Sequence, residues 1–148
     1  MEDFLGTYDY SLDEKNRLSI PAKYRKVMQS LQEDTFIVTT LEDACLTLYP
    51  YVTFRQTVSE PVKALRQFDD DANELRRFLG MHSTDVKMDS QGRINLPASA
   101  CEHAGINKKV KLIGCGHKIE LWNPEKFQEI STTRDAKSIK AELQKFAI

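Results

Sequence analysis

The chain has 148 residues, 41% of them hydrophobic and 29% charged, with a formal net charge of −1. That is enough apolar material for one buried core, and too little positive charge to hold nucleic acid by overall charge alone. It also excludes a membrane-spanning helix, because no apolar run approaches the roughly 20 residues a bilayer requires. Cys45, Cys101 and Cys115 are odd in number and form no C-x-x-C pair, which argues for a reducing compartment rather than a disulfide framework. The opening MEDFLGTYDY has neither the basic n-region nor the apolar h-region of a secretory signal, so a cytoplasmic location is expected.

In chain order, TYDYSL alternates Tyr8, Tyr10 and Leu12 against Thr7, Asp9 and Ser11, the period of a half-buried strand. A tight turn, DEKNR, follows. Then comes a short strand with Leu18 and Ile20 inward and Ser19 outward. Pro21 suits the first turn of a helix that continues through AKYRKVMQSL. TFIVTTLEDACLTLY predicts a hairpin, and Pro50 marks another helix start. Residues 52–79 are helical by period, with Phe54, Val58, Val62, Leu65, Phe68, Leu75, Phe78 and Leu79 in apolar stripes. Pro61 and the DDD run at 69–71 divide this stretch into two or three short helices. The series then begins again. STDVKM is a strand, DSQGR a turn, Ile94 and Leu96 an inward pair, and ASACEHAG a helix with Gly105 at its end. VKLIGCGHKIELW forms a second hairpin, and Asn123-Pro124 caps the next helix. The tail after Ser131 is amphipathic through Ile139, Leu143 and Phe146.

Asp89 follows Asp13 by 76 residues, and the same offset aligns Arg17 with Arg93, Pro21 with Pro97 and Ala22 with Ala98. Further on, LTLYPYVTF lies over IELWNPEKF with a shift of three. So long a period excludes a solenoid and indicates a duplicated half-domain. The expected organisation is a first half at 1–52, a helical connector at 53–80, a second half at 81–130 and a helical tail at 131–148, with both halves in one pseudo-twofold domain. Asn16 and Gly92 occupy the same turn position, and these are residue types that tolerate positive φ.

Each D-x-x-N/G-R turn can pair its carboxylate with the guanidinium, and the Asp can also accept backbone N–H bonds. The copies differ in charge. Lys15, Arg17, Lys23, Arg25 and Lys26 of the first correspond to Gln91, Arg93, Ser99, Cys101 and Glu102 of the second. A basic turn beside a basic helix start suits contact with phosphate or base edges. No P-loop, dinucleotide fingerprint, nucleophile elbow or H-E-x-x-H is present, so an enzyme is not expected. Cys101-x-His103 and Cys115-x-His117 lack the spacing of a usual zinc site, and neither a metal nor a cofactor is expected.

The stretches FLGTYDYSLDEKNRLSIPAKYR, CLTLYP, MDSQGRINLP and AGINKKVKLIGCGHKIELWNPEKF, in that order, resemble the MraZ family of bacterial transcriptional regulators. The resemblance implies an α+β, β-rich fold: an internally duplicated AbrB-like, double-split β-barrel with short flanking helices. It implies a homo-oligomeric ring that binds direct repeats in double-stranded promoter DNA. The targets would be the division and cell-wall gene cluster, including its own operon, and the protein would associate with the nucleoid and not with a membrane. Carried over by position, DNA contact falls to Arg17 foremost, with Lys15, Asp13, Asn16, Lys23 and Arg25. Asp89, Gly92 and Arg93 make a structural second motif. Asn16 departs from the family's usual Gly, and Cys101 stands where a basic residue would match Arg25. The competing expectation is a ring-forming scaffold or antitoxin-like partner module without DNA.

Overall fold

A computed structural model describes residues 3–42, 44–131 and 135–148. The alternating TYDYS segment forms β1 (Thr7–Ser11), with Tyr8 and Tyr10 turned toward the interior. The turn leads to β2 (Arg17–Ser19) and α1 (Ala22–Ser30), then to β3 (Thr35–Thr39) and β4 (Leu46–Pro50). A helical passage follows as α2 (Tyr51–Phe54), a π-helical turn (Arg55–Ser59), α3 (Glu60–Lys63) and α4 (Asp70–Met81). The second copy supplies β5 (Ser83–Lys87), β6 (Arg93–Asn95), α5 (Ala98–Ala104), β7 (Lys109–Gly114), β8 (Ile119–Trp122) and α6 (Pro124–Ser131). The tail is α7 (Ala136–Lys145).

The strands of the two copies interleave. One sheet runs β1-β7-β8-β4-β3-β5, antiparallel throughout, and β2 pairs with β6 in a separate ribbon. Thus β1 of the first copy lies on β7 of the second, and β5 of the second lies on β3 of the first. A pseudo-twofold axis passes between β4 and β8 and through the facing pair Leu18 and Ile94.

The expected closed barrel is not what forms. The ladders end at β1 and β5, which are free edges, and the ribbon stands apart from both. Each tight turn redirects the chain out of the large sheet. Pro21 and Pro97 then follow three-residue strands that are too short to join the two edges. Both prolines sit one place earlier than expected, as N-cap residues with ψ near 140°, so the helices begin at the alanines after them.

Sheet and ribbon enclose one core drawn from both copies, including Phe4, Leu18, Tyr24, Met28, Phe36, Ile94, Leu112 and Leu121. Fully burying a Leu, Ile, Met or Phe side chain is worth about 1.5–3 kcal/mol. A smaller cluster, Ile37, Tyr49 and Phe54 with Val58 and Leu79, joins the connector helices to the other side of the sheet. Asp69 caps α4, its carboxylate accepting the Ala72 N–H at 2.9 Å. Pro61 does not break the helical passage, and the π turn directly precedes its short helix. Of the expected apolar stripe only Phe54 is buried. Leu65, Leu75, Phe78 and Phe68, the last 89% exposed, face outward.

Candidate nucleic-acid interface

The two repeated turns are built alike. Asp13 Oδ1 accepts the backbone N–H of Lys15 and of Arg17, each at 2.9 Å, and Oδ2 accepts Arg17 Nε–H at 2.6 Å. Asp89 Oδ1 likewise accepts from Gln91 at 2.9 Å and Arg93 at 3.0 Å, and Oδ2 accepts Arg93 Nε–H at 2.9 Å. Main-chain bonds close each turn: Asp13 N–H to Arg17 C=O at 3.1 Å, and Asp89 N–H to Arg93 C=O at 2.8 Å. Asn16 and Gly92 are left-handed, with φ of 58° and 74°. Both carboxyls are held below the usual carboxylate range, first by the backbone N–H of their own arginine.

Each turn spends only Nε of its arginine. Among the described residues the terminal Nη atoms of Arg17 and Arg93 have no hydrogen-bond partner, so a planar two-pronged donor is held rigid at its base and open at its tip.

The ribbon sets the two turns side by side. Ile20 N–H donates to the Gly92 carbonyl at 2.9 Å, and Leu96 N–H donates to the Asn16 carbonyl at 3.0 Å. The left-handed residue of each turn therefore anchors the strand end of the other copy. Within the ribbon Arg17 faces Asn95 and Ser19 faces Arg93. Leu18 and Ile94 point into the core, so by strand alternation Arg17, Ser19, Arg93 and Asn95 share the outer face.

The structure regroups the remaining basic residues. Lys15 is exposed within the first turn. Arg25, encoded in the first copy, lies against the second turn: a Cβ placed on Gly92 would come within 2.6 Å of Arg25 Cδ. Each turn thus has two basic groups, Lys15 with Arg17 and Arg25 with Arg93. Lys23 joins neither. It lies about 200° around α1 from Arg25, on the opposite flank of the helix. The place of Arg25 escapes sequence reasoning, whereas the outward Asn95 follows from the alternation of Ile94 and Leu96. The one signal for Arg25 is that the second turn has Gly where the first has Asn.

Cys101 is buried in α5 and Cys115 lies in the β7–β8 turn, and burial raises both thiols. Among the described residues no group of three or more His, Cys, Asp or Glu is placed to hold a metal ion, and no helix is long and apolar enough to cross a membrane.

The family described as "MraZ protein, putative antitoxin-like" matches the chain twice, over residues 4–78 and 79–147. The "Transcriptional regulator MraZ" of Nitrosospira multiformis is 40% identical over 124 residues, 84% of each chain. That of Clostridium acetobutylicum is 36% identical over 126 residues, 85% of each. That of Thermomicrobium roseum is 36% identical over 122 residues, 82% of each. The double match and these relatives define a transcriptional regulator built from two copies of one unit, not an enzyme. The chain belongs to the MraZ family.

Proposed function

We propose that this chain is a sequence-specific regulator that binds direct repeats in promoter DNA, its own operon in the division and cell-wall cluster among the targets, as a homo-oligomeric ring associated with the nucleoid. The observation that carries this reading is the pair of Asp-clamped arginines on the outer face of one ribbon, with their Nη atoms unpaired. A fork held at Nε can donate both Nη hydrogens to guanine O6 and N7 in the major groove. Lys15 and Arg25 flank the forks and supply phosphate contacts, which position the protein on the duplex without reading its sequence. Asp13 and Asn16 shape the first turn, and Asp89 and Gly92 the second. Lys23 adds to the positive field without reaching either turn. The strand exchange between copies supports reading sheet and ribbon as the AbrB-like double-split arrangement, left unclosed.

The near-neutral net charge suits a ring. One weakly basic loop binds poorly, but several in phase with repeated sites gain effective concentration. A gel shift on the DNA upstream of the protein's own gene tests the proposal. Wild type should retard it at a concentration where Arg17→Ala does not.

A scaffold or antitoxin-like module without DNA is favoured by one observation, the apolar residues that 65–81 turns to solvent. It predicts no retention on heparin, and partner capture unaffected by Arg17→Ala.

A further inference from the structure

The pseudo-twofold can be followed bond by bond, and it breaks in one place. Gly114 N–H donates to the Gly6 carbonyl at 2.9 Å, and its counterpart Thr40 N–H donates to the His82 carbonyl at the same distance. Before Gly6 the chain turns inward. Phe4 makes a two-way bridge to Gly116, and its ring is fully buried edge-on to Tyr24, with centroids 5.5 Å apart. Tyr24 Oη donates to the Gly6 carbonyl at 2.7 Å. Before His82 the chain is instead helix α4, which leaves no extended segment to enter. At the repeat offset, Gly80 stands for Phe4 and Ala100 for Tyr24. Two aromatic side chains are therefore absent from the second half. A cleft of about 460 Å³ stands there, with Met81, His82, Ser83, Ser99, Ala100 and His103 among its walls.

Other substitutions fit the same asymmetry. Glu42 follows Thr40 by two residues, as Gly116 follows Gly114. Its carbonyl has no Phe4-like N–H to accept and takes the His103 Nε2–H at 2.9 Å instead. Thr40 Oγ1 pairs with His82 Nδ1 at 2.9 Å. Thr84, opposite Val38 in the strand register, shares the core face and lines the cleft.

We propose that this cleft binds a small neutral aromatic molecule of the phenol class. The volume lies in the range of small-molecule sites. In the first half the matching space is filled by a phenyl and a phenol ring, the phenol hydroxyl satisfied by a backbone carbonyl. In the second half a ligand hydroxyl would meet an imidazole, His82 and His103 both standing in the cleft wall. Among the described residues no Lys, Arg, Asp or Glu lines the cleft, which favours an uncharged ligand. A peptide strand is excluded as the occupant by Thr40. A Cβ on Gly114 would lie 2.6 Å from Leu5 N and from the Phe4 carbonyl. Thr40 carries that Cβ, so no extended chain can cross there as Phe4 and Leu5 do.

The probe is 4-fluorophenol, titrated with the full-length protein in its native assembly and followed by fluorine line width. The wild type should broaden the resonance, with dissociation in the millimolar range or tighter. Ala100→Tyr, which restores the side chain of the first half, should abolish the broadening, and so should Ala100→Leu, which blocks the cleft with less bulk. Absence of broadening with wild type at about 10 mM probe would overturn the proposal. So would broadening that persists in whichever of the two variants folds.

Discussion

Arg25 lies across the open face of Gly92, its Cδ 2.6 Å from where a β-carbon on residue 92 would sit. The helix of one copy thus closes over the turn of the other, and this packing explains why the second turn has Gly where the first has Asn. Gly92→Ala should suffer twice, from φ of +74° and from collision with Arg25. The left-handed conformation alone costs a non-glycine residue about 1–2 kcal/mol. Urea unfolding should show a loss of at least that size. Asn16→Ala should lose less, because Asn tolerates left-handed backbone far less well than Gly and so has less to forfeit. Equal losses from the two substitutions would mean that Arg25 adds nothing to the demand for glycine.

The bases and phosphates should be read by different groups. Arg17→Ala should erase the difference between operator and random DNA, since a bidentate arginine–guanine pair carries about 1–3 kcal/mol of discrimination. Lys15→Ala and Arg25→Ala should weaken both DNAs alike and flatten the salt dependence, by about 0.9 in the log–log slope for each phosphate that is no longer neutralised. Filter binding across a salt series separates the two patterns. A change of sequence preference in Lys15→Ala, with Arg17→Ala unchanged, would reverse the assignment.

Acid should release the turns. Asp13 and Asp89 titrate below the ordinary carboxylate value, first because Arg17 and Arg93 donate their backbone N–H to them. A carboxyl lowered on folding stabilises the fold above its unfolded value and loses that contribution as pH falls through the folded one. The Nε–H resonances of both arginines should therefore hold constant from neutral pH down through the ordinary aspartate value of about 3.9 and collapse only below it. Movement near pH 6 would point to a histidine, not to these carboxyls.

Assembly should depend on the connector. Phe68, Phe78 and Met81 are exposed at 89%, 43% and 77% on or beside α4, the Phe78 ring covered on one side by His82. Large apolar side chains left exposed along one short segment suit contact with another protein surface. Light scattering should give a mass several times that of one chain, and Phe68→Glu combined with Phe78→Glu should lower it. A wild-type monomer at micromolar concentration would remove the multivalent reading of DNA.

Much of this protein is local, and its local parts are legible in the sequence. A carboxylate two and four residues before the N–H groups it binds, and a left-handed residue just before the arginine, involve only five consecutive positions, so Asp13–Arg17 and Asp89–Arg93 declare their turns by residue type alone. The same holds for alternation in β1 and for the caps at Asp69 and Asn123, where each side chain meets backbone within three residues. Partner choice is different. Any of the alternating strands could satisfy its hydrogen bonds on several neighbours, and only the shared core decides that β1 joins β7 while β2 leaves the sheet for β6. That exchange carries Arg25 onto Gly92 and sets both arginine forks on one face. Where Gly80 and Ala100 replace Phe4 and Tyr24 it also opens a cleft, because space is left wherever the two halves meet with unequal side chains.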